Sequence, residues 1–196
     1  DNGKSTGTCR KIFNDKILGP SDLRKNHTTQ FKLLHAMALK DFSSRESVLY
    51  RIFNLRLDAD SKESYYAEAC KLLTDARETL GDKDTYYLKG LLDYFFFEDI
   101  RNEKWRETLE GVSFKDFSIA NVFYASSAAL NGYSLRLAGK EMAELLSVKD
   151  NVHLISDVNL YLEARTESGR VIEDEGEIVE WDNSEDKITS VMLLKD

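Results

Sequence analysis

The sequence contains one proline, two cysteines and three histidines among 196 residues. Proline and glycine break helices, and the chain has only ten glycines, so its composition suits helices better than a strand-and-turn architecture. No apolar run approaches the roughly 20 residues that span a bilayer, which excludes a transmembrane helix in this sequence. The net charge of −8 argues against a general nucleic-acid-binding protein, because phosphates require a basic surface.

Residues for catalysis or metal binding are also sparse. His27, His35 and His153 are scattered, and none has metal-ligand spacing to another histidine or to a cysteine. The chain also lacks the Gly-x-Ser-x-Gly motif of a hydrolase nucleophile. We therefore expect no metal, no cofactor and no enzymatic activity. The alternative is a hydrolase-like enzyme that uses Glu98 and Asp99, a carboxylate pair that follows an aromatic cluster and would titrate abnormally if desolvated.

Apolar residues recur at three- and four-residue spacing along most of the chain, which predicts a mainly α fold. We predict three parts: an irregular amino-terminal arm over residues 1–20, a repeat-like helical domain over residues 21–147 and an appendage over residues 148–196. The predicted helices follow one another closely. Short connections imply antiparallel neighbours, so we expect the helices to pair as hairpins.

The predicted helices begin at residues whose side-chain oxygen can cap the free N–H groups of a first turn. Gly81 and Gly132 are expected to end helices, because glycine readily adopts the left-handed conformation. The expected caps are Thr28 or Thr29, Ser44, Asp84 or Thr85, and Asp116, and a further helix is expected to run from about Ser134 to Leu146. The expected apolar stripes include Phe31, Leu34, His35, Ala38 and Leu39 in the first helix, Val48, Leu49, Ile52 and Phe53 in the second, Tyr65, Ala69, Leu73 and Leu80 in the third, Leu88, Leu91, Leu92 and Phe95 in the fourth, and Ile119, Phe123, Tyr124 and Ala128 in the fifth.

A family resemblance surrounds the fifth predicted helix. The residues that carry it are Gly111-Val112, Lys115-Asp116, Ala120, Phe123-Tyr124, Ala128-Ala129 and Gly132. This pattern resembles the Sel-like α/α repeat, a relative of the tetratricopeptide repeat, and Tyr87-Leu88 with Gly90 is similar to the preceding helix of such a repeat. The resemblance implies closely packed helices in a scaffold, an adaptor or an immunity-type protein that neutralises a toxin. The alternative is an unrelated α-hairpin whose small and aromatic residues merely pack.

The period of the pattern changes in the carboxy-terminal part. Leu160, Leu162 and Ala164 alternate with polar residues, which is typical of a half-buried strand. Further candidate strands cover residues 171–179, with Gly176 inside, and residues 188–194. We predict a small antiparallel β meander. The alternative is an extended segment that only a partner orders.

Two observations concern the compartment of the protein. Cys9 and Cys70 form an even pair, so a disulfide could tie the amino-terminal arm to the helical domain; two reduced thiols are the alternative. The sequence begins at Asp1 without a methionine, from which we predict a processed product. We therefore expect a periplasmic or secreted protein, with a cytoplasmic location as the alternative.

Charge and aromatic residues predict a protein-binding surface. Residues 148–196 carry 13 Asp and Glu against 5 Lys and Arg, a net charge of −8, which would steer a basic partner. A solvated, solubilising surface is the alternative. Aromatic side chains dominate contact energy at interfaces. The predicted partner-binding residues are Tyr86, Tyr94, Trp105 and Tyr124 on an aromatic face and Glu173, Glu175, Glu177 and Glu180 on the acidic hairpin.

Overall fold

The prediction of a mainly α chain with a small C-terminal antiparallel sheet is confirmed. The computed structural model describes residues 8–9, 12–13, 17, 19–97, 107, 109–149, 160–173 and 175–195. Its helices are α1 (Ser21–Leu34), α2 (Arg45–Asn54), α3 (Lys62–Leu80), α4 (Asp82–Phe97), α5 (Ile119–Leu130), α6 (Leu135–Leu145) and α7 (Glu175–Glu180), with a short 3-10 helix at Ala38–Lys40. The strands are β1 (Arg56–Leu57), β2 (Phe117–Ser118), β3 (Leu160–Thr166), β4 (Val171–Ile172) and β5 (Ile188–Lys195).

Serine side chains cap the starts of several helices. Ser44, Ser61, Ser118 and Ser134 each accept a hydrogen bond from the backbone N–H three residues further on, at the starts of α2, α3, α5 and α6. Such a bond satisfies one of the N–H groups that a first helical turn leaves unpaired. The cap predicted at Ser44 is therefore confirmed, and α6 begins directly after Ser134, close to the predicted helix start.

Two other predicted caps lie inside helix α1. This helix begins directly after Pro20, whose fixed φ suits a helix start. Thr28 and Thr29 consequently sit in its second half, and their hydroxyls donate to the carbonyl of Lys25. The prediction that either threonine begins the helix is wrong.

The predicted starts of α4 and α5 are also displaced. Helix α4 begins at Asp82, so Asp84 and Thr85 lie in its first turn. Asp116 has a left-handed backbone (φ 53°) and precedes strand β2, so α5 begins only after Ser118. Strand β2 pairs antiparallel with β1, an interaction between distant segments that local helix signals do not contain.

Helix α5 is the centre of the helical part. Its residues are buried from Ile119 through Ala129, and α1, α2, α4 and α6 pack against it. A helix that is covered on every side must be largely free of charge, and α5 has only apolar residues, alanines, Tyr124 and three small polar residues, Asn121, Ser126 and Ser127. Phe123, Tyr124 and Ala128 therefore lie on a buried helix, as predicted.

Helices α3 and α4 form an antiparallel hairpin. A single residue, Gly81 (φ 80°), separates α3 from α4. Arg77 pairs with Asp82 beside this turn, whereas Tyr66 contacts Asp93 far from it, so the two helices run in opposite directions. Cys9, Ile12, Phe13 and Ile17 of the predicted amino-terminal arm are buried in the same apolar core as these helices.

The C-terminal sheet has the strand order β4–β3–β5, with antiparallel pairing throughout. The first strand is thus central, whereas a sequential meander would place the second strand there. The prediction of one strand over residues 171–179 is wrong beyond Ile172, because Glu175–Glu180 form helix α7. Ala164 lies opposite both Ile172 and Val191, and Ala164 and Ile172 are fully buried.

Candidate interaction surfaces

The predicted aromatic surface is not assembled as expected. Tyr124 is completely buried, and its hydroxyl lies 2.7 Å from Nδ1 of His27, so its assignment to a partner-binding surface is wrong. Tyr94 is half-buried and stacks on Phe13 with ring centroids 6.5 Å apart. Of the three predicted aromatic residues that the structure describes, only Tyr86 is well exposed. The guanidinium of Arg77 lies over its ring, 5.2 Å from the ring centre, and donates to its hydroxyl at 3.0 Å.

Three predicted site residues lie outside the described residues. These are Trp105, which belongs to the predicted aromatic face, and Glu98 and Asp99, the carboxylate pair of the enzyme alternative.

The predicted acidic residues lie at β4 and along α7. Glu173, Glu177 and Glu180 are exposed, and only the helical backbone of Glu175 is described. Glu177 pairs with Arg170, whose guanidinium also lies 4.6 Å from the centre of the Trp181 ring. Part of the negative charge is therefore neutralised within the appendage.

The predicted disulfide is absent, because both cysteines are free thiols. Cys9 is completely buried, and its Sγ donates to the carbonyl of Asn121 at 3.8 Å. Burial raises the pKa of this thiol far above its ordinary value. Cys70 is partly exposed on α3.

A polar cluster joins α3 to α4 near the protein surface. The Tyr66 hydroxyl donates to Asp93 at 2.6 Å, and Lys89 donates to both groups. Burial, followed by the hydrogen bond to Asp93, raises the pKa of Tyr66 to about 12. Burial opposes the charge of Lys89, but its hydrogen bonds to Asp93 and Tyr66 raise its pKa on balance. Tyr66 therefore stays protonated and Lys89 stays charged at neutral pH, as in a structural cross-link between helices.

A second polar cluster joins α4, α5 and α6. Glu141 Oε2 accepts hydrogen bonds from the Ser127 hydroxyl at 2.6 Å and from the Tyr87 hydroxyl at 2.9 Å. Ser127 is fully buried, so its hydroxyl is closed to a substrate from solvent. This arrangement fixes three helices and has no evident chemistry.

An exposed apolar surface follows α1 and was not predicted from the sequence. Leu33, Leu34, Met37 and Phe42 are 76%, 58%, 75% and 73% exposed, and we name these four residues the apolar corner. Leu34 was expected to face the core, but α1 ends there and the chain turns into the 3-10 helix. Four large apolar side chains are thus exposed within ten residues of sequence, and a concentration of exposed apolar residues is typical of an interaction site.

Hydrogen bonds hold the backbone of the apolar corner. Asp41 accepts from both the N–H and the hydroxyl of Ser43, at 2.9 and 2.6 Å. The Ser44 hydroxyl bonds to the carbonyl of Ala38 at 2.9 Å, and Arg51 donates to the carbonyl of Phe42 at the same distance. The apolar side chains are therefore presented by an ordered turn.

A second exposed apolar set lies on strand β5. Val191, Met192 and Leu193 are 51%, 38% and 65% exposed. Within the described part of the chain, β5 pairs with β3 on one side only, which makes it an edge strand.

The described residues contain no group of three His, Cys, Asp or Glu side chains placed to hold a metal ion. They also contain no helix with the length and apolarity required to cross a membrane. No protein-family model matches the chain, and no curated protein or solved structure matches it either. The resemblance to Sel-like repeats thus remains a prediction.

Proposed function

We propose that this chain is a non-enzymatic protein-binding protein that contacts its partner through the apolar corner. The observation that carries the proposal is the exposure of Leu33, Leu34, Met37 and Phe42 at the end of α1 and in the turn that follows it. Apolar area of this kind costs free energy in water and recovers it when a partner covers it. An adaptor and a toxin-neutralising protein would both use such a surface.

The backbone of the turn supports this proposal. The bonds from Ser43 to Asp41 and from Arg51 to Phe42 hold the segment in one conformation before any partner arrives. A preformed surface loses less conformational entropy on binding than a flexible loop does. The segment therefore has the properties of a binding epitope.

The charges beside the corner define the partner further. Lys32 and Lys40 are exposed and lie beside the apolar side chains in the sequence, together with the anion Asp41. The exposed Arg51 adds a third cation, because it donates to the carbonyl of Phe42. Cations around an apolar centre favour a partner whose apolar contact area is rimmed by acidic groups.

The test is a pull-down: the proteins that the immobilised wild type captures from an extract of its native source are compared with those that two variants capture. The double variant Met37→Ser/Phe42→Ser removes two of the four apolar side chains of the corner, and Val179→Ser removes an equally exposed apolar side chain from α7. We expect the wild type and Val179→Ser to capture the same protein. The affinity of that protein for the double variant should be lower by about tenfold or more.

Circular dichroism and urea unfolding verify that both variants remain folded. The proposal is overturned if no protein distinguishes the double variant from the control. It is also overturned if the corner instead mediates binding to phospholipid vesicles, measured by co-sedimentation of the same three proteins.

A further inference from the structure

We propose that the free edge of β5 is a second binding site, which takes an extended, basic segment of a partner protein as an additional strand. This site lies in the C-terminal appendage and does not depend on the apolar corner or on its partner. Its occupant is specified by three features: the backbone of the edge, the side chains beside it and the charge around it.

The backbone of an edge strand offers unpaired N–H and C=O groups to any extended chain. Natural proteins usually protect such an edge with charged residues, proline, bulges or a very short strand. Strand β5 has eight residues, Ile188–Lys195, and residues 188–194 contain neither a charge nor a proline. The irregularity in its pairing with β3 is confined to its beginning, opposite Arg165 and Thr166. Among the residues that the structure describes, nothing pairs with this edge, which is therefore long and carries none of the usual protective residues, as in domains that bind peptides by strand addition.

The side chains of β5 suit an added strand. Successive side chains of a strand point to opposite faces, so Val191 and Leu193 share one face and Met192 lies on the other. Each of the three is more than one third exposed. On the Val191 face, Ala164 and Ile172 are fully buried, so the apolar surface of the sheet continues toward β5 and ends at exposed side chains. A strand with apolar residues at alternate positions would extend this surface.

The charge of the appendage selects a basic occupant over a second copy of the chain. Residues 148–196 have a net charge of −8. The turn that leads into β5 contains Asp182, Glu185 and Asp186, against a single cation, Lys187. Pairing two copies edge to edge would bring two such acidic regions together, and like charges oppose association. A segment with Lys or Arg beside its apolar residues meets the opposite charge.

The experiment uses a displayed library of random peptides of about ten residues, the length of a long strand. The library is selected on the intact protein, and each enriched peptide is then measured on three proteins by calorimetry. These are the wild type, the double variant Val191→Lys/Leu193→Lys, which places charges on the edge, and Val179→Lys, which places a charge on α7 of the same appendage. Amide hydrogen exchange locates the bound peptide.

We expect the enriched peptides to have apolar residues at alternate positions and to contain Lys or Arg. Their binding should slow amide exchange in residues 188–194, and their affinity should fall at high salt. The double lysine variant should lose about tenfold or more affinity, whereas Val179→Lys should stay within about twofold of the wild type. The proposal is overturned if no enriched peptide slows exchange in β5, or if both variants lose affinity equally. A wild-type dimer that the double lysine variant abolishes, seen by analytical ultracentrifugation, would also overturn it, because the occupant would then be a second copy.

Discussion

Nδ1 of His27 and the hydroxyl oxygen of Tyr124 lie 2.7 Å apart and link α1 to the central helix α5 across 97 positions of the sequence. Both side chains are completely buried. A polar group in an apolar core is stable only when it is hydrogen-bonded, so each residue requires the other. Tyr124 is therefore a structural residue of the core, although its ring chemistry would equally suit an interface.

Tyr124→Phe should destabilise the protein by about 1–2 kcal/mol, because it removes a hydroxyl from a buried hydrogen bond while keeping the ring. Burial raises the pKa of Tyr124, so the hydroxyl stays protonated and the loss should not vary with pH between neutrality and mild alkali. Urea unfolding at several pH values measures this. The control is Tyr86→Phe, which alters an exposed hydroxyl and should change stability by less than about 0.5 kcal/mol. Equal losses for the two variants would contradict the structural role of the pair.

Gly90→Ala should stabilise the protein by about 1 kcal/mol. Gly90 lies inside α4, and a Cβ atom added there would meet nothing within 4 Å. Alanine has the higher helix propensity by about that amount. The resemblance to Sel-like repeats implies a glycine that allows close helix packing, but the structure shows open space at this position.

Gly132→Ala is the matched control for Gly90→Ala. Gly132 also has open space around its Cβ position, but its φ is +64°, which side chains other than glycine adopt at a cost. This variant should lose about 1–2 kcal/mol of stability. Urea unfolding measures both variants, and a loss at Gly90 as large as that at Gly132 would show that Gly90 has an unrecognised packing role.

The stability of the protein should fall in acid partly because of Glu141. Burial alone would raise the pKa of Glu141, but hydrogen bonds from Ser127, Asn131 and Tyr87 bring it below its ordinary value of 4.5. The folded protein thus binds this proton less readily than the unfolded chain. The resulting stabilisation is fully present above about pH 4.5 and is lost as the pH falls through the folded pKa.

Glu141→Gln tests this pH dependence. At neutral pH the variant should be less stable by about 1–2 kcal/mol, since a charged acceptor of two hydroxyl groups becomes neutral. The difference from the wild type should shrink as the pH falls below about 4.5. Urea unfolding of the wild type and the variant, from neutral pH to strong acid, measures the stability difference and its change with pH. Glu144→Gln, at an exposed position of the same helix, is the control, and an equal response of the two variants would contradict the role of Glu141.

The two thiols should react at very different rates in the native protein. Reactivity requires the thiolate and access to it. Burial excludes reagent from Cys9 and raises the pKa of its thiol, whereas Cys70 is partly exposed. Iodoacetamide should therefore modify Cys70 first and Cys9 only after unfolding, with and without prior reduction, as mass spectrometry of tryptic peptides will show. Protection of both thiols until reduction would demonstrate the disulfide that the structure lacks.

Local signals in the sequence predicted much of the helical part. The cap at Ser44 and the helix end at Gly81 depend on neighbouring residues alone, and both are confirmed. The apolar spacing predicts that the stripe of α1 continues to Leu39, but the helix ends at Leu34 because the backbone turns there. The position of this turn depends on packing against α2, which the spacing of apolar residues cannot express.

The candidate sites could be predicted less well. Aromatic residues serve both cores and interfaces, so nothing in the sequence separates buried Tyr124 from exposed Tyr86. Short apolar runs are ambiguous between strand and helix, and residues 175–180 were assigned to a strand for that reason. The exposure of Val191 and Leu193 depends on β3 being central in the sheet, which is a property of strand order.

The burial of α5 on all sides limits which amino-acid substitutions the chain can accept during evolution. A helix at the protein surface tolerates exchange at the positions that face water, so its permitted residues alternate with the helical period. Residues 119–129 have no such positions. A saturation scan should therefore find uninterrupted intolerance along this segment, and related chains should preserve it as a block while their outer helices diverge.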